Sequence, residues 1–301
     1  MCFWLFSHWK HHAKTGANLQ NMMLDDEAEE YSDIEAAEII SMLPDFKNAD
    51  VVEIGAGIGR FTSKIAPACK TITAVEFIKE FSDKNRDTNG HLTHATFVNA
   101  DVNDFDLPEN SVDFIFTNWL MMYLQDDQID TFIKKCIKWI RPGGHFFFRE
   151  SCNHQSGSKH RSFNPTVYRS PKQYTDLVTG TWTKIGEMYE GFEVVKQSTV
   201  QTYIDIKNNP NQKCWLLKHY RRSDLSENHG EVTFQQFLDK QQYSMNGILR
   251  YERVFGKDYV SSGGLETTTD FCKLIDMKPG QKVLDIGCGV GGSAFHLKNL
   301  V

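Results

Sequence analysis

The sequence predicts an α/β fold built on a mostly parallel, doubly wound seven-stranded sheet that ends in an antiparallel hairpin. Three observations carry the prediction. Short apolar runs alternate with helix-length segments from residue 51 onward. The first run opens directly into a glycine-rich turn. After residue 190 the alternation gives way to β-rich sequence. Buried parallel strands read as continuous apolar runs, and helices cover both faces of such a sheet.

Residues 1–50 read as mainly helical, end at a turn around Pro44 and form an N-terminal lid, in which Met22-Met23-Leu24 is either a segment over a bound ligand or a buried helix face. Val51-Val52-Glu53-Ile54 is the first strand. It runs into Gly55-Ala56-Gly57-Ile58-Gly59, and a helix follows from about Arg60. Thr71–Val75 is the second strand, closed by Glu76. Ala95–Val98 is the third and Val112–Phe116 the fourth. The turn Arg141-Pro142-Gly143-Gly144 launches the fifth, His145–Phe148. Phe192–Ile206 is long and β-rich. Asn208-Asn209-Pro210-Asn211 is a strong turn signal, and Cys214–Leu217 is the partner strand of a hairpin. Residues 51–220 thus form one domain, and the polar stretch 221–232 reads as a linker. Over 233–301 the pattern begins again: Lys282 to Gly292 repeats the grammar of Asp50 to Arg60, as in a tandem duplication of which the chain holds one strand and part of a helix.

Composition narrows the function. The chain has 301 residues, 40% hydrophobic and 24% charged, with a net charge of −6. That is ordinary globular balance and argues against nucleic acid or a membrane surface as partner. The seven cysteines include no C-x-x-C pair, so neither a disulfide framework nor a bound metal is expected. Met1–Phe6 is too short for a signal sequence, and no apolar run approaches the ~20 residues of a membrane span. The chain reads as a cytoplasmic monomer.

The glycine turn supplies the chemistry. Its spacing is G-x-G-x-G, whereas the dinucleotide fingerprint is G-x-G-x-x-G. Glu53 stands two residues before the first glycine, where a carboxylate repels pyrophosphate but attracts an ammonium group. Glu76 closes the second strand, a position that accepts hydrogen bonds from ribose hydroxyls. Asp101-Val102 follows the third strand and suits an adenine amino group and ring. The plain alternatives are that Glu76 caps a helix and Asp101 stabilises a turn. Together these features resemble class I S-adenosylmethionine-dependent methyltransferases, Rossmann-like enzymes whose parallel sheet ends in a hairpin. The resemblance implies S-adenosylmethionine as cofactor, held by Glu53, Gly55, Gly57, Gly59, Glu76, Phe77, Asp101, Val102 and Asn118. Charge agrees: residues 99–130 hold eight acids and no Lys or Arg, whereas 151–175 hold four Lys or Arg and no acid. The first stretch suits a sulfonium cation, the second an anionic acceptor.

Longer motifs narrow the family. Glu53–Thr62, Asn118-Trp119-Leu120-Met121-Met122-Tyr123-Leu124, Phe148–Cys152, His154–Gly157, Asn164–Arg169 and the later stretch Tyr243 to Gly264 resemble plant-type two-domain phosphoethanolamine N-methyltransferases. The resemblance implies the first methyl transfer on the route to phosphocholine, with phosphoethanolamine as the small-molecule partner. Gln155, Ser156, Arg161, Tyr168, Arg169 and Lys207 are the candidate acceptor contacts, since Arg, Tyr and Ser are groups that hold phosphate. Trp119 and Tyr123 are expected to border the amine. In single-domain relatives a lid Tyr and a His after the fourth strand form a catalytic pair. Here Tyr123 stands at the His position and His8 near the lid Tyr position, which leaves the base open. The rival readings are an NAD oxidoreductase, which needs the other glycine spacing; a nucleic-acid adenine methyltransferase, which needs a Pro-rich turn where Asn118-Trp119-Leu120-Met121 stands; a methyltransferase for another small amine; and a truncated cofactor-binding protein without activity.

Overall fold

The computed structural model describes residues 9–10, 12–158, 164–223, 252–257, 259, 263–275, 278–284 and 291–298. His8, Arg161, residues 224–232 of the expected linker and the core of the second glycine turn lie outside the described residues. The chain divides into two compact units, Met1–Glu227 and Asn228–Val301.

The first unit is organised by one sheet. Its strands are β1 (Asp50–Ile54), β2 (Thr71–Glu76), β3 (Ala95–Asn99), β4 (Val112–Asn118), β5 (Ile140–Ser151), β6 (Trp182–Ile185), β7 (Met188–Thr199) and β8 (Gln212–Arg222). Their order is β3-β2-β1-β4-β5-β8-β7-β6. The first five pair in parallel; β8 runs antiparallel to β5 and β7, and β6 antiparallel to β7. Eight strands replace the expected seven, because Gly186 at φ +61° turns Ile185 back onto Met188 and adds β6 as an edge. Three further expectations are corrected. β7 stops at Thr199, and residues 201–207 are helical, so β7 and β8 pair without a tight turn between them. The fifth strand runs on through Arg149 and Glu150 to Ser151, residues expected in a loop. β8 reaches Arg222, inside the expected linker.

The helices of this unit are α1 (Leu19–Met23), α2 (Ala28–Met42), α3 (Thr62–Ile65), α4 (Lys79–Asn89), α5 (Asp126–Trp139), α6 (Pro171–Gly180) and α7 (Gln201–Lys207). α2 shows why the lid packs as it does. Ala28, Tyr31, Ser32, Glu35, Ala36 and Ile39 are its buried residues, a stripe at i, i+3, i+4 spacing. It ends before Pro44, whose ring disfavours helical backbone in the residue ahead of it. The stripe lies against one face of the sheet, in a cluster with Val51, Phe114, Phe116 and Phe147. Val52, Ile54, Ile115 and Phe146 alternate to the other face, where α5 buries Ile129, Phe132, Ile133, Cys136 and Ile137.

The second unit contains α8 (Gly264–Ile275) and α9 (Gly292–Lys298). They meet through the Thr268 and Ser293 hydroxyls at 3.1 Å. Residues 281–284, expected to begin the first strand of the repeat, are not in a strand, and Leu284 is 83% exposed.

Candidate active site

A cavity of about 970 Å³, counting its open mouth, lies where the carboxyl ends of β1, β2 and β4 meet the lid.

The glycine turn forms one wall. Gly55, Gly57 and Gly59 have φ of +79°, +55° and +90°, backbone that other residues rarely adopt. Gly55 and Gly57 line the cavity, whereas Gly59 faces away from it. A Cβ on Gly59 would stand 2.2 Å from Asn85 Oδ1 of α4, so its role is close packing of turn against helix. Glu53 is also turned away. It is buried and accepts the Thr62 hydroxyl at 2.6 Å; Thr62 in turn accepts Asn85 Nδ2 at 2.9 Å. Burial pushes the Glu53 carboxyl up to about 8, against the opposing effects of Thr62 and Arg60. Glu53, expected to face an ammonium group, is outside the cavity lining and braces the glycine turn through Thr62.

Glu76 does line the cavity. It accepts the backbone N–H of Gly57 and of Ile78, each at 2.8 Å, and burial raises its pKa. It ties the backbone that leads into α4 and forms the wall at once. A carboxylate has about four acceptor sites, so Glu76 keeps capacity for a hydroxyl donor. Phe77, Ile78, Phe81, Ala100 and Val102 continue the wall as an apolar plate. Asp101 is not part of it: its Oδ1 accepts Asn103 N at 2.9 Å and Nδ2 at 2.7 Å, which fixes the turn that presents its neighbours. The lid closes the other side with Trp9, Met22, Met23 and Leu24, and Met22 Cγ would lie 3.3 Å from a Cβ on Gly57.

Asn118, Trp119, Tyr123 and Ser156 line the same cavity. Trp119 has φ +57°, donates its indole N–H to Gln212 Oε1 at 2.9 Å and its backbone N–H to Arg149 O at 2.8 Å. Tyr123 ends a 3₁₀ turn, Met121–Tyr123. The Glu150 carboxylate accepts the backbone N–H groups of Leu120, Met121 and Met122 at 3.1, 2.7 and 3.2 Å, which holds that turn. Burial pushes Glu150 up to about 7, opposed by those donors and by Arg169. From the lid, Trp9 packs edge-on against Tyr123 with ring centroids 5.4 Å apart.

Of the expected acceptor contacts among the described residues, Ser156 alone reaches the cavity wall. Gln155 folds back, donating Nε2 to Gly157 O at 2.8 Å, and the Tyr168 hydroxyl accepts Asn164 Nδ2 at 3.1 Å. Arg169 is buried beneath the site. It donates to Asp126 through Nε and Nη2, to Met121 O and Val167 O through Nη1, and to Leu124 O through Nη2. These bonds use all five of its donors, so it braces the segment that bears Tyr123 rather than gripping a ligand. Lys207 is drawn to Asp25 at 3.1 Å and to Glu27 at 2.5 Å, where it ties α7 to the lid. Sequence reasoning missed Trp9, Leu120 and Met122 on the wall, and Glu35, Arg149 and Glu150 behind it. Glu35 left a signal, since it occupies an inward position of the α2 stripe.

The arrangement offers acceptor oxygens at Glu76, flat apolar faces at Phe77 and Val102, and polar groups at Tyr123 and Ser156. Among the described residues no cluster of His, Cys, Asp or Glu is placed to hold a metal, and no helix is long and apolar enough to cross a membrane.

Residues 51–144 match the family model described as a methyltransferase domain. The chain is 43% identical to phosphoethanolamine N-methyltransferase 1 of Zea mays, over 97% of this chain and 57% of that protein. It is 44% identical to phosphoethanolamine N-methyltransferase 3 of Arabidopsis thaliana, over 97% of this chain and 59% of that protein. It therefore spans somewhat over half the length of these curated relatives. Among solved structures, Haemonchus contortus phosphoethanolamine N-methyltransferase 1 in complex with phosphoethanolamine and S-adenosylhomocysteine superposes with a TM-score of 0.72 at 29% identity, covering 90% of this chain and 58% of that one. A Leishmania major S-adenosylmethionine-dependent methyltransferase, at 22% identity and a TM-score of 0.57, shares the fold.

Proposed function

We propose, from the premise that the chain is a relative of the phosphoethanolamine N-methyltransferases and carries a methyltransferase domain, that residues 51–220 methylate the amine of phosphoethanolamine with S-adenosylmethionine. The observation that carries this reading is a single cavity whose lining includes Glu76 and an apolar plate together with Trp119, Tyr123 and Ser156. S-adenosylmethionine supplies a methyl group activated on a sulfonium. Glu76 takes its ribose hydroxyls, Phe77, Ala100 and Val102 flank its adenine, and the bare backbone of Gly55 and Gly57 lets its chain pass close to the turn.

The protein's other task is to present a neutral amine. An alkyl ammonium titrates near ~10.4 in water, so the site must remove a proton by desolvation or through a neighbouring group. The apolar lid residues exclude water, and Tyr123 orients the nitrogen or relays its proton, with His8 of the lid as its partner. Ser156 and Arg161, on the segment after β5, hold the phosphate and so fix the distance between amine and methyl. The domain acts in the cytoplasm as a monomer, under the lid of residues 1–50. Residues 221–232 link it to the opening of a second methyltransferase domain at 233–301.

Labelled S-adenosylmethionine with phosphoethanolamine, its mono- and dimethyl forms and ethanolamine tests the reading. Transfer to phosphoethanolamine and none to ethanolamine is expected; no transfer, or equal transfer to ethanolamine, overturns it. Tyr123→Phe is expected to lower kcat by ~10²-fold while leaving the affinity for S-adenosylhomocysteine unchanged, as measured by calorimetry.

A further inference from the structure

Behind the acceptor end of the cavity lies a charged group that neither the cofactor wall nor the acceptor wall uses. Arg149 is fully buried on β5, and Glu35 is fully buried on α2. Their Nη2 and Oε1 atoms are 2.8 Å apart, and Arg60, beside the glycine turn, pairs with the same carboxylate. Arg149 is also the register partner of Asn118 across β4 and β5. Its Nη1 donates to Asn118 Oδ1 at 3.1 Å, and its Cζ lies 3.7 Å from the centroid of the Trp119 ring. Its carbonyl oxygen accepts the Trp119 backbone N–H. One guanidinium thus touches both residues through which β4 enters the cavity wall.

A purely structural role accounts poorly for this arrangement. Burying two charges costs several kcal/mol each, and a well-packed apolar pair of the same volume serves a core as well or better. What an apolar pair lacks is a planar fork that bonds one neighbour and stacks on the next. Trp119 needs such a hold, because a bulky residue at positive φ is strained and persists only where its surroundings impose it.

We propose that Arg149 is a positioning residue that fixes Asn118 and Trp119 at the acceptor end of the cavity, with Glu35 as the buried counter-charge that lets it act from the interior. The proposal rests on the methyltransferase reading for its catalytic consequence, though not for its geometric one. A misplacement of about an ångström at the acceptor wall is worth ~10²-fold in rate.

The test uses the full chain with Arg149→Lys, Arg149→Met, Trp119→Phe and the Arg149→Lys/Trp119→Phe double variant. Lysine keeps the charge paired with Glu35, and so the fold, but it has neither the fork nor the plane. S-adenosylhomocysteine calorimetry counts intact sites, and kcat is expressed per intact site. Arg149→Lys and Arg149→Met are expected to lose ~10²-fold in kcat per intact site. The double variant is expected to lose little beyond the worse single one, because both changes remove the same placement. Independently of activity, the indole N–H resonance of Trp119, assigned through its disappearance in Trp119→Phe, is expected to shift and lose protection from exchange in Arg149→Lys. Wild-type kcat in Arg149→Lys, losses that multiply in the double variant, or an unmoved indole resonance overturns the proposal. If the wild type methylates no phosphobase, the functional reading fails, and the indole resonance alone decides the placement.

Discussion

Two acids and two glycines show how much a single residue's environment decides. Glu53 and Glu76 both close strands beside the glycine turn, and sequence position alone gives both to the ligand. Strand alternation separates them. Ile54 lines the cavity, so Glu53, one residue earlier, faces the opposite side and braces Thr62. The type of residue was legible, whereas its direction depended on where β1 meets the turn. The buried acid carries a pH signature. Glu53 ionises near 8 in the folded protein against an ordinary 4.5. The folded state therefore holds its proton more tightly, a stabilisation fully present below the ordinary value and lost as pH rises through about 8. The melting temperature of the wild type is expected to fall between about pH 5 and pH 8, and that of Glu53→Gln to fall less over the same window, by scanning calorimetry. An unchanged slope would show that Glu53 is ionised throughout. The glycines divide in the same way. A Cβ on Gly59 meets Asn85 Oδ1 at 2.2 Å, whereas one on Gly57 meets the flexible Met22 side chain at 3.3 Å. Left-handed backbone costs each alanine variant ~1–2 kcal/mol, and forced overlap adds ~1–3 kcal/mol for Gly59→Ala. Urea titration is expected to rank Gly59→Ala as the less stable, and ligand titration to rank Gly57→Ala as the weaker binder.

Elements that serve the site are held from behind by residues their own sequences do not explain. The 3₁₀ turn bearing Tyr123 has no side-chain cap; its leading N–H groups end on Glu150, a strand away, and its carbonyls at Met121 and Leu124 end on Arg169. Both acceptor-side residues lay in a stretch that reads as a phosphate-gripping loop, because Arg, Glu and Ser after an apolar run signal a strand's end. The strand instead continues, since β8 pairs with Arg149, Glu150 and Ser151 and makes a polar interior affordable there. For the same reason the parallel half of the sheet was readable strand by strand, whereas the antiparallel half was not. β6 is four residues long, and α7 is rich in the same Thr, Tyr and Ile that favour strands. Arg169→Met tests the brace. It leaves two buried carbonyls without their charged donor, and a loss of ~3 kcal/mol in unfolding free energy is expected by denaturant titration. Because Tyr123 rides on that turn, kcat is expected to fall further than the loss of folded protein accounts for.

At the scale of the whole molecule, the two units differ in what they can bury. All eight strands, both sheet faces and every described residue of the cavity belong to Met1–Glu227. In Asn228–Val301 the described apolar side chains are largely open: Phe271 is 58% exposed, Leu274 80%, Leu284 83% and Phe295 67%. The glycine-turn grammar at Lys282 to Gly292 was legible as a repeat, but its described residues 281–284 are not in a strand. Cooperativity should therefore be confined to the first unit. A fragment of residues 1–227 is expected to unfold in a single transition and to bind S-adenosylhomocysteine with a Kd within about threefold of the full chain, since every described residue of the cavity lies in the first unit. A fragment of residues 228–301 is expected to show no sigmoidal urea transition by circular dichroism. If removing residues 228–301 instead abolishes ligand binding or broadens the melt of the remainder, the second unit contributes to the first unit's stability, and the eight-stranded sheet is not an independent folding unit.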